Sequence, residues 1–254
     1  MSDPFVTKNI LKWYDLNKRS LPWRKNVSKE KRQYNTLISE FMLQQTQVAT
    51  VIPYFNKFVK EIPNIKKLAS VDNKKLIKLW EGLGYYSRAR NLKKAAQSVI
   101  KNFNGVIPDN FDDLKSLSGI GDYTANAILA IAFNKPYIPL DGNVERIIKR
   151  YLYLKKEKEI QKENLIEKKS ILGFSNRSSD YAQALMEFGA LVCKPTNPLC
   201  CQCPITKKCK SFKKKDFNLT KNSKKYKDKY FLLKVYKKDQ KLSLIHISEP
   251  TRLW

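Results

Sequence analysis

The chain has 254 residues, room for one large or two small domains. Lys and Arg number 50 against 23 Asp and Glu, a formal net charge of +27 that draws in polyanions and speeds encounter with them. No run of 18 apolar residues occurs and residues 1–12 have no apolar signal core, which argues against a membrane span and a secretory leader.

In chain order the pattern is helical. Asp3-Pro4 sets an N-cap before a proline at the first helical position and opens a helix expected to reach about residue 18. Residues 20–34 are polar and read as a loop around Leu21, Pro22, Trp23 and Arg24. A helix is predicted over 36–51, with Leu37, Phe41 and Val48 on one face and Ile38, Met42, Gln45 and Ala49 on the next. Further helices are predicted over 73–81, stopped by Gly82, and over 86–102, stopped before Gly105. Two more, 111–116 and 122–133, flank the turn Leu117-Ser118-Gly119-Ile120-Gly121. Asp141 precedes a helix from 142 to about 153, and a Lys/Glu-rich connection leads to a helix over 178–192. Strand signals are absent until 230–236, so residues 1–212 are assigned an all-α fold. Residues 213–229 are basic and poor in apolar groups, as linkers are. A lone strand after them is not a domain. In 242–254 Lys nearly vanishes and the single histidine, His246, appears; this stretch looks like translated adapter sequence and is expected to be non-native.

Cys193, Cys200, Cys203 and Cys209 follow a C-x6-C-x2-C-x5-C spacing. Four thiolates gathered so tightly in a reducing compartment hold a metal or cluster more often than disulfides. One compact loop around one object fits a [4Fe–4S] cluster, with a structural zinc as the alternative. Cys201 is a bystander in either case. The turn at Gly119 and Gly121 permits close backbone approach, and the amides that open the next helix can bind a phosphate without reading sequence. On residues alone, Glu40 (with Gln44 and Gln47 at i+4 and i+7) reads as a solvated carboxylate, and Asp141 as an N-cap.

Several of these segments, in this order, resemble one family. They are Leu21-Pro22-Trp23-Arg24, Ser39-Glu40-Phe41-Met42-Leu43-Gln44-Gln45-Thr46-Gln47, Gly82-Leu83-Gly84-Tyr85-Tyr86-Ser87-Arg88, the hairpin, Leu140-Asp141-Gly142-Asn143-Val144 and the four cysteines. Over about residues 4–212 the chain is similar to the helix-hairpin-helix DNA glycosylases with an iron–sulfur cluster, and within them to the MutY adenine-DNA glycosylases. The resemblance implies a two-lobed all-α fold: residues 25–140 form a six-helix helix-hairpin-helix domain, and 1–24 with 141–212 form a cluster domain. Residues 213–241 are then a linker and the start of a truncated nudix-like domain that recognises 8-oxoguanine.

The resemblance also implies the chemistry. Glu40 becomes the general acid that protonates the adenine ring at N7, with a pKa raised by burial. Asp141, ionised, stabilises an oxocarbenium-like transition state, the division of labour of retaining glycosidases. Tyr123 stands where related endonuclease III enzymes carry a Schiff-base lysine; a phenol forms no imine, so a monofunctional enzyme is expected. Tyr123 and Asn143 are expected near Asp141 and the attacking water. Trp23, Arg24, Leu43 and Glu187 would line the adenine pocket, while Gln45 and Tyr85 wedge into the duplex as the base flips out. Gly119 and Gly121 would bind DNA through the hairpin, and Cys193, Cys200, Cys203 and Cys209 would ligate a [4Fe–4S] cluster.

The implied partner is double-stranded DNA with A:8-oxoguanine or A:G mispairs, met by a cytoplasmic, nucleoid-associated bacterial monomer. Without the C-terminal domain, weak discrimination between 8-oxoguanine and guanine is expected. The alternatives are a pyrimidine-specific glycosylase of the endonuclease III type and a non-catalytic iron–sulfur DNA-binding protein. Neither needs both Glu40 and Asp141 in their motifs.

Overall fold

A computed structural model describes residues 4–156, 159, 161–217, 235–238 and 241–244. Among them, residues up to 217 are helical, with α1 Pro4–Asn17, α2 Lys29–Leu43, α3 Val48–Glu61, α4 Ile65–Ser70, α5 Asn73–Trp80 and α6 Ser87–Asn102. The order continues with α7 Phe111–Ser116, α8 Asp122–Phe133, α9 Gly142–Leu152, α10 Lys162–Lys168, α11 Ser178–Leu191 and α12 Lys210–Lys213. Single 3-10 turns at Pro22–Arg24, Lys169–Leu172, Cys200–Gln202 and Thr206–Lys208 fill the connections.

Local chemistry starts these helices. Ser28, Asn64, Asp72, Asn110 and Asp141 each accept a backbone N–H of the following turn, which satisfies amides that have no partner inside the helix. Left-handed residues end two of them, Asn134 after α8 (φ 54°) and Tyr153 after α9 (φ 58°).

Apolar faces then pack around two cores. The first holds Leu37, Ile38 and Phe41 of α2, Phe55 and Phe58 of α3, Trp80 of α5, Leu92 of α6 and Ile128 of α8. Phe58 and Trp80 meet edge to face at 6.1 Å. The second holds Val6, Ile10 and Tyr14 of α1, Ile147 and Tyr151 of α9, and Tyr181, Leu185 and Phe188 of α11. Each fully buried large side chain contributes about 1.5–3 kcal/mol of transfer free energy. Helix α8 packs against α2 on one side and α11 on the other, so it joins the two cores.

Three expectations need correction. The helix predicted over 36–51 is two helices. Ser28 caps α2 within the stretch read as a loop, because the polar first turn Lys29, Glu30, Lys31 and Arg32 carries no apolar period. The chain then breaks after Leu43, and Gln45 takes a left-handed φ of 56°. Glu40, Gln44 and Gln47 therefore share no stripe. Gln44 Nε2 instead reaches Gly119 O and Thr124 Oγ1, both at 3.4 Å. Secondly, the Lys/Glu-rich connection contains α10, held by Leu165, which is buried in the second core. Thirdly, the strand has a partner. β1 Val235–Lys238 pairs antiparallel with β2 Lys241–Leu244 in the register Val235↔Leu244 to Lys238↔Lys241. Residues 242–244 of the stretch expected to be non-native form part of that hairpin; residues 1–3, 218–234 and 245–254 lie outside the described residues.

Gly119 has a φ of 82°, and an added Cβ would lie 2.8 Å from Asn91 Cβ and 2.9 Å from Phe41 Cε1. The hairpin is thus seated directly on α2 and α6. Left-handed strain and overpacking together are expected to make Gly119→Ala less stable by about 2–4 kcal/mol in urea unfolding, and a parent-like midpoint would contradict this seating.

Candidate active site

A cavity of about 220 Å³ opens among α2, α8, α9, α11 and the 3-10 turn at Pro22–Arg24. Its walls bring together eight of the predicted residues: Trp23, Arg24, Glu40, Leu43, Tyr123, Asp141, Asn143 and Glu187. Gln45, Tyr85, Gly119 and Gly121 do not line it. Gln45 and Tyr85 are exposed, Tyr85 to 60%, on two turns outside the cavity. Gly121 precedes α8 and supplies no side-chain cap to its first amides.

Glu40 is buried, at 5% exposure, which removes the solvated reading. Burial pushes its carboxyl up to about 7; the Tyr123 hydroxyl and the Arg24 charge oppose the rise, and the neighbouring Asp141 adds to it. The Tyr123 hydroxyl also faces Met186 Sδ at 3.4 Å, and burial holds this phenol protonated. Asp141 is raised by burial too, but it accepts from Val144 N at 2.7 Å and from Asn143 Nδ2 at 2.8 Å. These bonds favour the anion, so of the two carboxyls Asp141 ionises first and Glu40 keeps its proton.

Asp141 caps α9 and faces the cavity at the same time. Its orientation is fixed from behind. Arg146 NH2 donates to Asn143 Oδ1 and Gly189 O, both at 2.7 Å, and Arg146 Nε donates to Cys193 O at 2.7 Å. A Cβ on Gly189 would lie 2.5 Å from Asn143 Cβ, so α11 meets α9 with backbone against side chain. On the opposite wall Glu187 is 1% exposed. Burial alone would raise its pKa, yet Arg19 and Arg24 hold it below the ordinary value. Arg19 donates through N (2.7 Å) and Nε (3.0 Å), and Arg24 NH1 lies 2.5 Å from Oε2. The sequence reading missed Arg19, Met186 and Arg146; the basic pair Lys18-Arg19 just before the Leu21-Pro22-Trp23-Arg24 motif was the one available signal.

The four cysteines line a second, apolar-walled cavity with Ile147, Phe188, Ile205 and Phe212, while Cys201 is exposed. Arg150 ties their loop down through Lys194 O (2.5 Å) and Pro195 O (2.7 Å), and lies 3.6 Å from Cys193 Sγ. Burial pushes the Cys203 thiol up to about 12 and raises Cys200 and Cys209 as well. Such thiols ionise only against a strong positive charge. All four of these sulfur-bearing residues thus face one shared space.

The model of the HhH-GPD superfamily of base excision DNA repair proteins matches residues 38–170. The adenine DNA glycosylase of Buchnera aphidicola subsp. Baizongia pistaciae is 42% identical over 240 residues, covering 91% of this chain and 66% of that protein. The adenine DNA glycosylase of Rattus norvegicus is 41% identical over 211 residues, 80% of this chain and 41% of its own length. The chain thus spans from two-fifths to two-thirds of these relatives. A solved thermostable thymine-DNA glycosylase superposes with a TM-score of 0.73 at 28% identity, over 82% of this chain and 95% of its own. A non-covalent endonuclease III–DNA complex shares the fold at a TM-score of 0.67 and 23% identity, over 83% and 95%.

The buried Glu40 carries a stability signature. Its folded pKa lies above the ordinary 4.5, so stability is full below pH 4.5 and falls as pH rises to about 7. Glu40→Gln has no proton to lose. Above pH 7 it is expected to be more stable than the parent by on the order of 2–3 kcal/mol, with no gain at pH 4. Thermal melts at both pH values check this, and a pH-independent difference would sink it.

Proposed function

The chain belongs to the HhH-GPD superfamily of base excision DNA repair proteins, and from that footing we propose that it is a monofunctional adenine-DNA glycosylase. Its substrate is double-stranded DNA carrying adenine opposite 8-oxoguanine or guanine. The observation that carries the reading is the carboxyl pair: Glu40, buried and pushed up to about 7, shares one cavity with Asp141, whose anion is favoured by hydrogen bonds.

The flipped adenine enters between Trp23, Leu43 and Glu187. Arg19 and Arg24 keep Glu187 ionised, as an acceptor for the exocyclic amino group of the base. Glu40 gives its proton to N7, and the C1′–N9 bond breaks with its electron pair going to the purine. Asp141 stabilises the positive sugar. Water then adds to C1′ and loses a proton to a carboxylate, which leaves an abasic site and free adenine. Tyr123 holds its proton at this pH and offers no amine, so the strand stays intact.

Residues 25–140 act as the helix-hairpin-helix lobe, and 1–24 with 141–212 as the cluster lobe; the two separate hydrophobic cores support that division. Cys193, Cys200, Cys203 and Cys209 would hold a [4Fe–4S] cluster. What supports this is that the four cysteines of one compact loop line a single apolar-walled cavity, as the C-x6-C-x2-C-x5-C spacing around one object requires. When bound, the cluster would tie the four thiolates together through its iron, and Arg146 links Cys193 O to Asn143, which donates to Asp141. The protein acts as a monomer.

Duplex containing one A:8-oxoguanine pair is expected to break only after alkali treatment. Glu40→Gln should lower the single-turnover rate by at least about 10³-fold, within the range of general-acid and electrostatic terms combined. The parent rate should fall as pH rises through about 7, because the protonated acid is the active form. Breakage without alkali, or a rate that climbs through that window, would refute the assignment.

For the cluster, Cys203→Ser is expected to lose bound iron and sulfide and the associated visible absorption, while Cys201→Ser keeps both. Retention of iron by the first variant, or its loss from the second, would show that the ligand set is wrong.

A further inference from the structure

Arg88 is 7% exposed, and none of its hydrogen-bond partners is a carboxylate. Its NH1 donates to Phe41 O (3.2 Å), Met42 O (2.8 Å) and Gln44 O, and its NH2 donates to Leu83 O (3.0 Å) and Gly84 O (3.2 Å). The first three carbonyls end α2, where the helix leaves acceptors unsatisfied and its dipole favours a cation. The other two belong to the turn that carries Tyr85. One guanidinium therefore fastens two turns that are about 40 residues apart in the chain.

Each of those turns holds a non-glycine residue in the left-handed region, Gln45 at φ 56° and Tyr85 at φ 46°. Neither residue type adopts that conformation without a surrounding structure that imposes it. The guanidinium supplies the imposition by fixing the carbonyls just before each of them. It also lies 5.5 Å from the Tyr85 ring centroid and 5.6 Å from that of Trp80, whose Nε1 donates to Gly84 O at 3.2 Å. Tyr85 thus rests against the buried cation while 60% of it faces solvent. A lysine cannot replace this arrangement, because an ammonium has three donors and no planar fork.

We infer that Arg88 is a positioning residue for base extrusion: it locks the 44–47 and 82–86 turns together so that Gln45 and Tyr85 enter the duplex as one rigid unit. This rests on the glycosylase reading of the cavity and on the wedge role that the family resemblance implies for these two residues. The same bonds reach back to the last turn of α2, the helix that carries Glu40, and Gln44 extends the assembly to the hairpin at Gly119. Insertion into DNA is thereby mechanically linked to the helix that holds the general acid. A unit that is already ordered loses little entropy when it inserts.

The test separates extrusion from chemistry. Single-turnover adenine release is measured for the parent, Arg88→Lys and Tyr85→Leu on two duplexes, one with the adenine paired to 8-oxoguanine and one with it unpaired in a bulge. Both variants are expected to lose about tenfold or more on the paired substrate, the scale of one lost charge-assisted hydrogen bond, and less than about threefold on the bulge. Tyr85→Leu alters an exposed side chain and so serves if Arg88→Lys fails to fold. Equal losses on both duplexes, or parent rates on the paired one, would overturn the inference. A parallel arm follows 2-aminopurine fluorescence at the target position as each protein binds. If the parent released no adenine, the proposed function would fall while this arm still decided the inference. An unstacking rise with the parent and none with the variants supports it, and equal rises overturn it.

Discussion

A carboxyl group buried without a cation bonded to it is the constraint on which the site depends. Glu40 sits in the last turn of α2 and lines the cavity while almost wholly buried, where ionisation costs more than it does in water. Its proton is retained because the chain spends apolar packing around it and places Arg24 and Arg19 on Glu187 instead. Asp141, close enough to raise it further, is raised by burial as well, but a helix start and an asparagine amide oppose that rise by stabilising its anion. Two like groups in one cavity thus meet different surroundings, one with its anion hydrogen-bonded by a helix start and one raised chiefly by burial, and acid–base chemistry draws on such a difference.

Buried and half-buried arginines do much of the remaining construction. Arg88 fastens the end of α2 to the turn before α6, Arg146 joins α9 to α11 and the cysteine loop, and Arg150 holds the carbonyls of Lys194 and Pro195. Many of their partners are backbone carbonyls of irregular segments, groups that would otherwise be buried without donors. A planar fork with five donors suits this task, since it satisfies several carbonyls from different segments at once. Short helices joined by strained turns can therefore keep fixed geometry at the places where the site is assembled, and Cys193 O is joined to Asp141 by hydrogen bonds through Arg146 and Asn143.

Much of this was legible beforehand. The helices over 111–116 and 122–133, the hairpin between them and the capping of α9 by Asp141 follow from apolar spacing, two glycines and one acidic residue, all local signals. The eight residues around the cavity were legible through the family resemblance, although they lie in five separate segments and Glu187 in none of the quoted motifs. The start of α2 was not legible, because its first turn is wholly polar and only the Ser28 cap marks it. Nor was the break after Leu43: apolar residues keep their helical period through it, and the carbonyls that end the helix are claimed by Arg88 from 46 residues downstream of Met42.

Sequence alone thus determined the helical class, most element positions and the thiol set, since each is written in short-range pattern or in residue chemistry, while the two carboxylic acids stood out only through the family resemblance of their motifs. Only the tertiary structure decided which carboxyl keeps its proton, which arginine faces a carboxylate and which faces carbonyls, and where α2 stops. Those outcomes depend on burial and on partners distant in the chain. A free energy of desolvation belongs to a place in the fold, and a residue read by itself does not reveal that place.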